Sequence, residues 1–165
     1  MGNKIAHELV ALYPDLLPRN YLLTHFDKLV NDSVDTVLRL LRVLSSKRIE
    51  VFKEALTKLS ESAALTLHSL ELMYNLALSI TVEQRYLDAF LHRWFSACKD
   101  MEGATRQKNL RLICKFAVEL MRRGRFDASS KIEVWFHYCS HFGNSGAVAE
   151  FKEVLAKMLA NAPSN

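Results

Sequence analysis

The stretch Leu110-Arg111-Leu112-Ile113-Cys114-Lys115-Phe116-Ala117-Val118-Glu119-Leu120-Met121-Arg122-Arg123-Gly124 decides the fold class. Its apolar residues Leu110, Ile113, Cys114, Ala117, Leu120 and Met121 recur at intervals of three and four, which lines them up on one side of a helix with 3.6 residues per turn. Gly124 follows directly. Glycine adopts the left-handed conformation that ends helices at no steric cost, so the stretch carries both its inner face and its stop signal.

The same period extends in both directions, and no segment shows the strict alternation of a strand. Downstream, Asp127 is placed to cap a helix with Ile132, Trp135, Phe136 and Cys139 inside. Past Gly143 and Gly146 a last helix carries Val148, Phe151, Leu155 and Met158 inward. Upstream, Thr81 and Gln84 have capping-box spacing and open a helix to about Lys99, which Gly103 separates from the next. Before it, Leu67, Leu70, Tyr74, Ala77 and Leu78 mark one helix, and Ile49, Phe52, Leu56 and Leu59 another that starts at Arg48. Asp32 or Ser33 caps a helix with Val34, Val37, Leu38, Leu41 and Leu44 inside, which Ser45-Ser46 is expected to break. A first helix over Lys4–Leu12, a proline-bounded loop over Tyr13–Asn20 and a short helix to about Asn31 complete the chain. The reading is all-α, with eight or nine helices in antiparallel hairpins of roughly 32–60, 66–100 and 104–142, arranged as a HEAT-like stack or an irregular bundle. Domain organisation follows as one helical domain over 1–160, with N-terminal helices and loop in 1–31, a helical core in 32–160 and a frayed tail at 161–165.

Composition agrees with a folded domain: 165 residues, half of them hydrophobic, bury enough surface to offset chain entropy, and a net charge of +4 is small for that length. Cys98, Cys114 and Cys139 are odd in number and lack CxxC spacing, which disfavours a disulfide framework or a zinc finger and suits reduced, buried thiols. No charge-free run reaches membrane-spanning length, so no membrane partner is expected. The start Met1-Gly2-Asn3-Lys4-Ile5-Ala6 has Ala6 where a myristoylation motif wants Ser or Thr.

No catalytic residues are assigned, because GxGxxG, GxxxxGK, HExxH and GxSxG are all missing and no cofactor is implied. His137 and His141 share a helix face, but Cys139 lies about 200° of helix rotation away, so no metal site is expected there. Charge is more informative. Ala104 to Phe126 holds seven Lys or Arg and the single acid Glu119, a net +6 that leaves −2 for the rest. Lys108, Arg111, Lys115 and Arg122 follow helical spacing opposite the apolar stripe, and Arg122, Arg123 and Arg125 gather at the helix end. Such a ridge fits acidic protein partners, or nucleic acid; a purely solvated face that complements the helix dipole is the bland reading. The helix from Thr81 is apolar over more than one face, so it is either central to the core, the favoured reading, or offers a partner groove; Tyr86, Trp94 or Phe95 left exposed would anchor an interface rimmed by Arg85 and Arg93. The candidate partner-binding residues are therefore Tyr86, Arg93, Trp94, Lys108, Arg111, Lys115 and Arg122.

Three segments carry a resemblance: Leu40-Leu41-Arg42 ahead of Ser45-Ser46, Leu67-His68-Ser69-Leu70-Glu71, and Arg111-Leu112-Ile113-Cys114-Lys115-Phe116. In order and spacing, from about Leu29 to Leu159, the chain resembles the C-terminal domain of subunit eleven of the CCR-NOT mRNA deadenylase complex. A proline that the family places near Ser33 is missing, and those around Val82 and Glu83 are replaced. The resemblance implies a non-enzymatic adaptor in cytoplasmic mRNA decay, with the nucleus as a second compartment. It also implies association with subunit ten and the NOT scaffold through regions outside this chain, and capture of peptides from regulatory proteins. Direct RNA binding through the basic helix around 104–126 is the alternative. The matched residues read as helix packing, and none carries over as a binding residue.

Overall fold

Helix follows helix along the computed structural model, which describes residues 18–144 and 146–161. Among the described residues there are nine α-helices and no strand. In chain order these are α1 (Arg19–Thr24), α2 (Phe26–Asp32), α3 (Val34–Lys47), α4 (Ile49–Thr57), α5 (Leu67–Ser79), α6 (Gln84–Lys99), α7 (Gly103–Arg122), α8 (Ile132–Phe142) and α9 (Gly146–Ala160). The expected first helix at Lys4–Leu12, the loop up to Leu17 and the tail from 162 onward lie outside the described residues. The helices gather into two compact units that divide between Phe90 and Leu91, inside α6.

In the first unit α3 packs most extensively on α5, and also on α4, to which Arg48 alone connects it. Val37, Leu40, Leu41 and Leu44 are its buried stripe. Ser33 caps the helix, its hydroxyl oxygen accepting the Thr36 N–H at 3.3 Å. Ser45-Ser46 does not break it. Both hydroxyls donate back into the helix, to the carbonyls of Arg42 at 2.7 Å and Val43 at 3.0 Å, so their hydrogen bonds are spent without competing for the backbone. The expected single short helix before it is two, α1 and α2, divided at His25, and α1 begins at Arg19 within the expected loop.

α4 runs into a π-helical turn at Lys58–Ser62, where the Ala63 N–H reaches the Lys58 carbonyl at 2.7 Å and the buried Ser60 hydroxyl donates to the Leu56 carbonyl at 2.8 Å. Ile49 and Leu67, both expected inside, are exposed: each is the first residue of its helix and stands clear of the buried stripes that follow. A reciprocal cap does open α5, with the Thr66 hydroxyl oxygen accepting from Ser69 N–H at 3.1 Å and the Ser69 hydroxyl oxygen from Thr66 N–H at 2.9 Å. The helix expected to open at Thr81 opens later. α6 starts at Gln84, which leaves Thr81 three residues outside, and the Gln84 amide donates forward to Asp88 Oδ1 at 3.1 Å.

In the second unit α7 packs chiefly on α9, and α8 packs on α9 as well. Gly124 ends α7 as expected, at φ +64°. The Gly124 N–H bonds the Met121 carbonyl at 3.0 Å and the Arg125 N–H the Leu120 carbonyl at 2.8 Å, the two bonds of a Schellman cap. Asp127 accepts the Ser129 N–H at 2.9 Å and so opens a short 3-10 turn, Ser129–Lys131, that leads into α8. Phe95 is the centre of the core. Its ring stacks on Phe151 at 5.7 Å and on Tyr138 at 5.1 Å, while Trp135 meets Phe126 edge-on at 5.8 Å. Trp135 and Cys139 are inside as expected, Ile132 and Phe136 are half-buried, and Tyr138 joins the core as well.

Candidate functional site

Six of the seven cations between 104 and 126 divide by what their side chains meet. Arg106 turns back to the C-terminus of α6, where its Nε donates to the Cys98 carbonyl at 3.1 Å and an Nη to the Lys99 carbonyl at 2.9 Å. The last carbonyls of a helix have no partner within it, so Arg106 is a helix cap. Arg122 pairs with Glu150 of α9 at 2.8 Å, and Arg123 with Glu119 one turn back at 2.6 Å. Arg122 is thus tied across two helices and leaves the set of open cations. Lys108, Arg111 and Lys115 are exposed and make no ion pair among the described residues.

Their spacing of three and four holds these side chains within about 60° of arc and over about 10 Å of helix. Beside them runs an open groove of about 530 Å³ between α7 and the first turns of α9. Leu110 and Val148, both buried, form its floor, Arg111 and Lys115 one wall, and Ala147 with Glu150 the other. The α9 side of this groove escaped the sequence reading. The period marks Val148 only as an inward residue, and nothing in the local pattern shows that it lines a groove with Leu110.

The aromatic part of the expected site is corrected. Tyr86 is 5% exposed and Trp94 2%, and Phe95 is buried too, so none of them anchors a surface contact. Arg85 lies over the Tyr86 ring at 4.6 Å and donates to its hydroxyl at 2.9 Å, while Arg93 is half-buried. The broad apolar face of α6 is buried throughout, with Leu87, Phe90, Leu91 and Cys98 inside as well.

A second groove, about 710 Å³, lies in the first unit beside the π-helical turn. Arg19, Glu54, Lys58 and Glu61 line it, and the paired Arg19 and Glu54 cross it. Its charges balance in sign, two cations against two carboxylates.

The remaining chemistry-bearing side chains line neither groove. Burial pushes the Cys98 and Cys139 thiols up to about 11, and Cys114 higher still, with the neighbouring sulfurs adding to the effect. Thiols that resist ionisation are poor nucleophiles. Cys139 is buried while His137 and His141 are exposed, the opposition that helix geometry requires, and among the described residues no three His, Cys, Asp or Glu side chains are grouped to hold a metal. The Tyr138 hydroxyl meets His92 Nδ1 at 2.7 Å and Ser96 Oγ at 2.9 Å and ties α8 to α6. Two carboxylates titrate low: Asp127, held by hydrogen bonds from Ser129, and Glu153, held by Lys157. No helix among the described residues is long and apolar enough to cross a membrane.

In class this is an all-α helical protein whose open surface feature is a cationic helix face bordered by a shallow groove. The family model described as CCR4-NOT transcription complex subunit 11 matches residues 4–154. The chain belongs to that family, one of complex subunits and not of known catalysts. The match reaches further toward the N-terminus than the resemblance read from Leu29 onward. No curated protein matches the chain.

Proposed function

We propose that the chain is a non-catalytic interaction domain of the CCR4-NOT complex that recruits regulatory proteins to cytoplasmic mRNA decay, contacting them on the exposed face of α7. Family membership supports the setting. The observation that carries the surface is the trio Lys108, Arg111 and Lys115, exposed on one helix face with no intramolecular ion pair, while Arg106, Arg122 and Arg123 are each engaged within the fold. An unpaired cationic face raises encounter rates with acidic partners and costs repulsion within the chain, a cost that a partner removes.

The test is capture of purified regulatory proteins of mRNA decay by the immobilised chain, with the triple variant Lys108→Glu, Arg111→Glu, Lys115→Glu alongside. Retention by the wild-type chain and loss in the variant, both folded by circular dichroism, is the expected outcome. Retention of no regulator by a folded wild-type chain refutes recruitment. Direct RNA binding is the competing reading, and fluorescence anisotropy with poly(A) separates it, because phosphate contacts are strongest at low salt. Tight poly(A) binding at low salt, lost in the same variant and unaccompanied by protein capture, replaces recruitment with RNA binding.

A further inference from the structure

We infer that the groove between α7 and α9 takes an acidic segment with an aliphatic anchor, its carboxylates spaced three to four residues apart as on one face of a helix. This rests on the recruitment reading above and adds the chemistry of the occupant. Lys108, Arg111 and Lys115 rise along one face at that same spacing, so an acidic helix laid along α7 meets a cation at each turn. The floor beside them is apolar, formed by Leu110 and Val148. A purely ionic partner leaves that floor wet; a Leu or Ile side chain covers it.

The α9 wall fits such an anchor. Ala147 is small, and a Cβ built on Gly146 meets nothing within 4 Å, so the space there is open. Glu150 is the acid on the lining, and Arg122 holds it at 2.8 Å. Its charge is therefore answered from within the fold, and the field that an arriving carboxylate meets is set by Arg111 and Lys115. The lining also argues against a single-stranded nucleic acid as occupant. None of its residues is aromatic, so bases find no ring to stack on.

The experiment uses the full chain and a fluorescein-labelled 14-residue peptide with Glu at every third or fourth position and one Leu between them, followed by anisotropy. Two control peptides replace every Glu by Gln, or the Leu by Ser, and a poly(A) 15-mer serves as the nucleic-acid probe. Binding of the acidic peptide is expected to weaken at least tenfold in Arg111→Glu/Lys115→Glu, and several-fold in the neutral Arg111→Gln/Lys115→Gln, whose exposed substitutions leave the core untouched. Ala147→Trp, which fills the groove without changing charge, is expected to weaken the acidic peptide about as much as the Leu-to-Ser control does. Arg122→Ala frees the Glu150 carboxylate and is expected to weaken binding two- to threefold.

Equal binding of the Glu and Gln peptides overturns the inference, as does indifference to the charge variants, or tighter binding of poly(A) than of the acidic peptide. The two readings fail separately. If Arg111→Glu/Lys115→Glu still captures regulators as the wild type does, recruitment stands and this groove falls. If the wild type binds the acidic peptide with the stated variant pattern but captures no regulator, the groove stands and recruitment falls.

Discussion

Replacing Arg106 by Ala separates the cations that build the fold from those that are open to a partner. Its guanidinium bridges two terminal carbonyls of α6, those of Cys98 and Lys99. A hydrogen bond from a charged donor contributes about 1.5–3 kcal/mol when fully sheltered. Arg106 is only half-buried, so water replaces part of what each bond supplies. The favourable placement of a cation at a helix C-terminus adds about 0.3–1 kcal/mol. Together these give about 1.5 kcal/mol for Arg106→Ala, a fall of about 3–6 °C in Tm for a chain of this size. Arg106→Lys keeps the charge but cannot hold both carbonyls with one planar fork, so its loss is about half as large. Urea unfolding followed by circular dichroism measures both variants, and acidic-peptide anisotropy runs in parallel. The expected pattern is destabilisation with unchanged peptide binding, the reverse of Arg111→Glu. A change below about 0.3 kcal/mol, inside the range of ordinary surface substitutions, refutes the capping role. Peptide binding lost as fully as in Arg111→Glu refutes the division of the cations.

Gly124→Ala places a side chain at φ +64° where nothing lies within 4 Å, so its cost is conformational alone, about 1–2 kcal/mol, read as a lower urea midpoint. Leu41→Ala removes a fully buried side chain from α3 and is expected to cost about 2–5 kcal/mol by the same measurement, with a value under 1 kcal/mol contradicting the packing. Native chain at pH 8 is expected to leave all three thiols unreactive toward Ellman's reagent, with all three reacting in guanidinium; prompt native reaction of even one contradicts the burial. Because folding raises these thiols from 9.0 to about 11 for Cys98 and Cys139, their contribution to stability is full below pH 9 and is lost as pH rises toward 11. Urea midpoints taken across that range are expected to fall more steeply for the wild type than for Cys98→Ala.

Helix positions were legible because their signals are local. The stripe of Leu110, Ile113, Cys114 and Leu120 is buried as the period requires, and Gly124 stands in the left-handed region where the helix ends. Errors fall where a local rule met a second partner. Ser45-Ser46 reads as a break, yet its hydroxyls return to carbonyls one turn back and the helix continues to Lys47. Thr81 and Gln84 have the spacing of a cap and read as a helix start at Thr81, but the helix starts at Gln84.

Sequence alone determined that this chain is helical, which residues form most of its inner stripes, and that its positive charge is concentrated between 104 and 126, since period and composition need no knowledge of distant neighbours. Only the tertiary structure decided which charges and aromatics face outward. Arg122 meets Glu150 across 28 residues, Arg106 reaches back to the carbonyls of α6, and Tyr86 and Trp94 enter the core. Each of those outcomes depends on which helix packs against which. That pairing is set by complementarity between faces far apart in the chain, so a count of residues along one helix cannot supply it.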